Sequence, residues 1–200
     1  MKHPENIQEV ASLQPDYMGF IFYSKSPRNF DDIIPKISDD IKKTGVFVDA
    51  EIDFILEKVN KYNFKAIQLH GSENANYCKE LKTKLSTIEI FKVFGIKDSF
   101  DFSALTDYEG IVDYFLFDTK GKAKGGNGYT FDWSILKDYK STTPIILSGG
   151  IGPEEFNKIE QILKIDLPIY ALDLNSKFET KPGLKNLQNL NKFIKRINKT

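Results

Sequence analysis

Tyr114-Phe115-Leu116-Phe117-Asp118-Thr119 is an apolar run of strand length that closes on a carboxylate. The chain then opens into the glycine- and lysine-rich stretch from Lys120 to Gly128. Apolar residues without alternation read as a strand covered on both faces, the habit of parallel sheets. A buried strand that delivers one acid to a basic, flexible loop is a common way to build a catalytic site, and an Asp that merely opens a turn is the ordinary alternative. The rest of the chain decides between them, because it repeats the arrangement.

On either side of this run, further strands are expected at residues 17–23, 45–48, 66–70, 89–94, 144–148 and 168–173. Between them, helical periodicity predicts helices at 4–13, 31–43, 52–62 (with Asp49 as its cap), 73–85, 130–139, 153–163 and 183–197, with a looser crossing segment at 98–111. Strict alternation of buried strands with helices asks for a parallel sheet covered by helices. No G-x-G-x-x-G follows the first of these strands, so an open doubly wound sheet lacks support. The expected fold is α/β, a TIM (β/α)8 barrel of seven strands and eight helices, one strand short because the chain opens on a helix. No linker or composition break divides residues 1–200, which read as a single domain.

Composition narrows the function. Basic and acidic residues number 28 each, which leaves no electrostatic footprint for nucleic acid or an anionic membrane. The lone Cys78 excludes an internal disulfide framework and, on an amphipathic helix beside Tyr77 and Leu81, reads as a packing residue. No run is long enough to cross a bilayer, and the expected localisation is cytoplasmic.

In a barrel the carboxyl ends of the strands share one mouth. Those positions carry Ser26 and Arg28, Asp49, Gln68 and His70, Lys92, Asp118, Gly149-Gly150, and Asp173-Leu174-Asn175-Ser176. Gln68 points inward if it shares the side of His70, by the period of two. The small residues after the last two strands free backbone N–H groups for an anion, which points to a phosphorylated small molecule. Taken one at a time, each has a plainer meaning: a tight turn for the glycines, a core imidazole for His70, a surface charge for Arg28. Their joint placement carries the functional reading.

Several motifs occur in order: Gly19-Phe20-Ile21-Phe22-Tyr23-x-Lys25-Ser26-Pro27-Arg28; Gln68-Leu69-His70-Gly71-x-Glu73; Phe117-Asp118-Thr119 with Gly125-Gly126-x-Gly128-x-x-Phe131-Asp132-Trp133; Leu147-Ser148-Gly149-Gly150; and Asp173-Leu174-Asn175-Ser176-x-Phe178-Glu179-x-x-Pro182-Gly183-x-Lys185. Together, over essentially the whole chain, they resemble the phosphoribosylanthranilate isomerases of tryptophan biosynthesis. The resemblance implies an Amadori rearrangement of N-(5-phosphoribosyl)anthranilate, with no cofactor and no metal, by a soluble monomer or homodimer. By match to that family, Asp118 is the general acid, Arg28 pairs with the anthranilate carboxylate, and Gly149, Gly150, Asn175 and Ser176 hold the phosphate. Gln68, His70 and Asp173 line the substrate pocket.

The resemblance also carries departures. The family's base is a cysteine in a Lys-x-Cys-Gly-[Met/Ile] motif that ends its first strand, and residues 1–7 match the family's segment just after that Cys-Gly. This implies either a true start upstream or a shortened relative with residual activity at most. A non-catalytic phosphosugar-binding barrel, or another phosphosugar isomerase of this fold, are the alternatives. Without the first strand, the barrel is expected to leave a gap, to fill it from another chain, or to be marginally stable. Lesser departures are Lys177, where the family often has Gly, and Asn186, where Asp is usual.

Overall fold

Seven strands pair side by side in the order of the sequence, each parallel to the next. They are β1 (Tyr17–Phe22), β2 (Lys42–Phe47), β3 (Ala66–Leu69), β4 (Glu89–Ile96), β5 (Tyr114–Thr119), β6 (Ile145–Leu147) and β7 (Ile169–Leu172). The structure, a computed structural model, describes residues 1–119 and 130–199. The basic loop expected at 120–128 therefore lies outside the described residues.

Sequential parallel order curls the sheet into a barrel wall. Its two faces bury different residues. Phe20, Phe47, Leu69, Ile90, Phe115 and Phe117 face outward into the main core under the helices. Ala66, Phe91, Val93, Leu116 and Ile146 form a second, interior cluster. Each fully buried phenylalanine contributes about 1.5–3 kcal/mol, and the chain has 16. Many of them lie on the outer side of the wall, where rings meet edge to face, as Phe94 and Phe115 do at 5.5 Å, while Phe91 packs on Tyr17 and Tyr114 on the inner side.

The covering α-helices are α1 (Pro4–Ala11), α2 (Ile52–Tyr62), α3 (Ala75–Lys84), α4 (Phe156–Ile162) and α5 (Leu187–Ile197). Pro4 opens α1, Asn74 caps α3 by accepting from Tyr77 N at 2.9 Å, and Asn186 caps α5 by accepting from Asn189 N at 3.0 Å. Asp49, expected to cap α2, does not. The cap position is Glu51, and Asp49 sits at φ +48, where its carboxylate accepts from Ser72 N.

The helix expected at 31–43 is absent. Its four isoleucines fit helical spacing, but Pro35 in the middle removes an N–H and clashes with the preceding turn. The segment runs irregularly, leaves Ile33 79% exposed, and joins β2 three residues earlier than the apolar run suggested. The looser crossing segment at 98–111 holds a 3-10 helix, Phe102–Tyr108, and the helix expected at 130–139 is a 3-10 helix as well, Trp133–Asp138. The last helix starts at Leu187 because a hairpin, β8 (Glu179–Lys181) and β9 (Leu184–Lys185), occupies the residues before it. Gly183, at φ +85, makes its turn.

Candidate active site

Alternation along β3 to β7 aims one residue in two at the barrel axis. At the carboxyl ends that selects Gln68, Asp118, Ser148 and Asp173, with Ile21 and Val46 completing the ring. All line one cavity of about 560 Å³. Arg28, His70, Gly149, Gly150, Asn175 and Ser176 line the same cavity, so the acid, the phosphate residues and the pocket residues expected from the sequence are brought to one mouth. Its volume is that of a small-molecule site.

Asp118 ends β5 and is 8% exposed. Its carboxylate accepts from Thr119 N at 2.8 Å. Burial, helped by the Asp173 carboxylate, lifts its pKa to about 6, against that hydrogen bond. Asp173 follows β7, accepts from Ser148 Oγ at 3.4 Å, and is itself raised by burial while Lys185, Gln68 and Ser148 oppose. Two carboxyl groups in one cavity, both raised, keep a proton available near neutrality.

Gly149 and Gly150 have φ of +84 and +67. A Cβ on Gly149 would run into the Thr119 backbone N and lie 2.7 Å from Asp118 Oδ1. The glycine therefore lets the β6 turn pass directly beside the acid. At Gly152 a Cβ would lie 2.9 Å from Lys177 Cβ, so the loops after β6 and β7 touch there. That is the shape of an anion cradle.

Arg28 arrives from the loop after β1. Its guanidinium binds Glu179 with two nitrogens, Nε at 2.9 Å and Nη2 at 2.7 Å. Lys185 Nζ reaches Glu179 at 3.0 Å and Asn175 Oδ1 at 2.6 Å. Burial acts to raise Glu179, yet the hydrogen bond from Arg28 and the charge of Lys185 win and hold it below the usual range. Lys185 is lowered by burial, with Glu179 opposing. Two cations share one carboxylate here, which leaves a positive excess beside the cavity.

Glu179 and Lys185 belong to this site although the sequence presents them only as motif residues. Their signal is charge placed just beyond the last strand, on a hairpin that periodicity does not reveal. Two other expectations are corrected. Lys92 does not face the mouth: Phe91 and Val93 face inward, so Lys92 faces outward and pairs with Glu73 at 2.9 Å, both nearly enclosed. Asp49 turns to the Gly71–Ser72 loop and is not among the cavity residues. Cys78 is fully buried on α3, its thiol pushed up to about 11 by burial, as a packing residue should be. Among the described residues, no cluster of side chains suited to a metal is found.

Comparison with known proteins adds the family. The family model described as N-(5'phosphoribosyl)anthranilate (PRA) isomerase matches residues 1–196. The N-(5'-phosphoribosyl)anthranilate isomerase of Parabacteroides distasonis is 44% identical over 205 residues, spanning 98% of this chain and 90% of the relative. That of Phocaeicola vulgatus is 37% identical, spanning 98% and 94%. The solved phosphoribosyl anthranilate isomerase of Thermotoga maritima superposes with a TM-score of 0.84 at 27% identity, over 100% of this chain and 96% of that one. A second solved isomerase, in complex with reduced 1-(o-carboxyphenylamino)-1-deoxyribulose 5-phosphate, gives 0.80 at 26% identity, over 99% and 95%.

Proposed function

The chain belongs to the N-(5'-phosphoribosyl)anthranilate isomerase family, and we propose that its cavity carries out the rearrangement of N-(5-phosphoribosyl)anthranilate to 1-(2-carboxyphenylamino)-1-deoxyribulose 5-phosphate. The observation that carries this reading is the buried Asp118, lifted to about 6, beside a glycine turn and in the same cavity as the cations Arg28 and Lys185. Ring opening needs a proton on the furanose oxygen, and a carboxyl group lifted to about 6 keeps a protonated fraction near neutrality to supply it. The iminium so formed loses its C2 proton to a base, and the enolamine tautomerises to the ketone. Cys78 does not serve as that base, because it lies on the outer side of the wall.

The substrate's two anions give the cavity its polarity. Its phosphate belongs with the N–H groups of Gly149, Gly150, Asn175 and Ser176. Its anthranilate carboxylate belongs with Arg28, whose planar fork Glu179 holds in place. Gln68, His70 and Asp173 line the sugar between them. The test is calorimetric titration with the reduced analogue found in the relative. Wild type and Asp118→Asn should bind with similar affinity, while Arg28→Met and Gly149→Ala weaken binding tenfold or more. Absence of binding, or binding indifferent to both latter changes, would refute the assignment.

A further inference from the structure

The hairpin of β8 and β9 is too short to hold itself in place. β9 is two residues long and pairs with β8, and a two-stranded hairpin on its own is marginal in water. Its last residue, Lys185, is fastened from outside. Lys185 N donates to Asn6 Oδ1 at 2.7 Å, and Asn6 Nδ2 donates to Lys185 O at 3.0 Å. Asn6 lies on α1, 179 residues away in sequence, and is 3% exposed. One amide side chain thus satisfies the donor and the acceptor of a single peptide residue, as a further strand would.

We infer that Asn6 is a positioning residue for both anion subsites of the cavity, acting through Lys185, an inference that rests on the isomerase reading of that cavity. A lysine side chain has wide rotamer freedom, so its head stays aimed only where its root is fixed. Asn6 fixes the root. The head is held by Asn175 Oδ1 at 2.6 Å and by Glu179 Oε1 at 3.0 Å. Asn175 belongs to the loop proposed to hold the phosphate. Glu179 stands opposite Lys185 in the hairpin register and grips Arg28, the group proposed for the anthranilate carboxylate. A guanidinium held along its Nε–Nη2 edge has a second edge, through Nη1, for another carboxylate. Gly183 N, in the hairpin turn, also donates to Glu179, at 3.2 Å.

Contacts therefore run from Asn6 to Lys185 and divide there, one arm to each end of the substrate. Both arms are shielded, with the Lys185 side chain 8% exposed and that of Glu179 4%, so water does not readily replace a lost partner. The acid stands apart. Asp118 is tuned by burial, by Asp173 and by the Thr119 N–H, none of which belongs to this set of contacts. Loss of Asn6 should accordingly weaken the grip on both anions while leaving the titration of Asp118 where it is.

The test is calorimetric titration with three ligands: the reduced analogue, the same molecule without its ring carboxylate, and the same molecule without its phosphate. Wild type, Asn6→Ala and Glu9→Gln are compared well below the Tm of each. Asn6→Ala should weaken the full analogue roughly tenfold or more, and should weaken both truncated forms, since each keeps one subsite that Lys185 serves. In nitrogen-detected spectra the slowly exchanging Arg28 Nε–H signal should be lost in Asn6→Ala, while the Asp118 carboxyl titrates as in wild type. Glu9→Gln alters the other partner of Asn6 and spares both bonds to Lys185, so it should bind as wild type does. In wild type alone, either truncated ligand should slow hydrogen exchange at the Lys185 amide, a readout that needs no variant to fold. Unchanged binding by Asn6→Ala, a loss confined to one truncated form, an equal loss in Glu9→Gln, or protection of the Lys185 amide by one ligand only would overturn the inference. Failure of wild type to bind any of the three would instead remove the functional reading, and the inference with it.

Discussion

Replacing Asp118 by Asn should abolish ring opening and at the same time stabilise the fold, by an amount that depends on pH. The folded pKa is about 6, against an ordinary value of 3.8. For a carboxyl group raised in this way, the stabilisation carried by its protonated form is complete below the unfolded pKa. It is lost as pH rises through the folded one. At pH 4.5 the wild type has forfeited about 1 kcal/mol, and at pH 7.5 about 3 kcal/mol. Asn has the same shape, keeps an oxygen for Thr119 N, and does not titrate. Chemical denaturation of both proteins in urea should show the gap between them widening by about 2 kcal/mol across that range. In the wild type the acid form should also govern kcat/KM, which falls tenfold per pH unit above about 6. Equal stability of the two proteins at both pH values would refute the claim that Asp118 is a desolvated, high-pKa acid. Retained turnover in the Asn variant would refute its role.

Three other changes test the surroundings of that acid. Gly149→Ala combines a positive φ with a Cβ driven into Thr119, so a loss of about 2–4 kcal/mol is expected, read as a Tm drop with a raised KM. Glu179→Gln leaves Arg28 and Lys185 buried without their shared charge and should cost roughly 3–5 kcal/mol in urea unfolding. Since the Glu179 pKa is depressed, the wild type holds that contribution above its ordinary pKa of 4.5 and loses it as pH falls below. Lys92→Met alone should cost on the order of 3–5 kcal/mol, and Lys92→Met with Glu73→Gln distinctly less, because the double change leaves no unpaired charge; kcat should hardly move, as neither side chain lines the cavity.

The strands are legible because a two-sided strand shows in sequence as a short apolar run bounded by turn residues, as Tyr114–Asp118 does, and because such runs recur between helical segments. The parallel order follows from alternation with helices. Where sequence and structure part, the reasons are local. At 31–43 the isoleucine spacing suggests a helix, but the missing N–H of Pro35 outranks a weak periodicity. Asp49 has the position of a cap, whereas a tertiary bond to the next loop pulls it into the left-handed region. Lys92 lies near a strand end, yet the period of two, applied from Phe91 and Val93, sends it outward. The Glu179–Lys185 hairpin is illegible because short polar strands carry no periodic signal and are fixed by the cations they hold.

The interior of the barrel wall is layered, and the layering explains why the acid can be an acid. At the foot, Lys42, Glu89 and Tyr17 form a satisfied polar cluster, with Lys42 Nζ at 2.6 Å from Glu89 and Tyr17 OH at 2.9 Å. Above it Ala66, Phe91, Leu116 and Ile146 make an apolar floor. Asp118 and Asp173 stand on that floor, and among the described residues it places no cation directly beneath them. The positive charge is held to one side, on Arg28 and Lys185, and is itself divided by Glu179. Had either cation faced Asp118 directly, its pKa would be driven down and the proton lost. Separating the charge that binds an anion from the group that must stay protonated is therefore the constraint the strand ends satisfy. It also predicts where the arrangement is most fragile: a basic residue introduced at Leu116 or Ile146 would unbalance Asp118 before it weakened any contact with substrate.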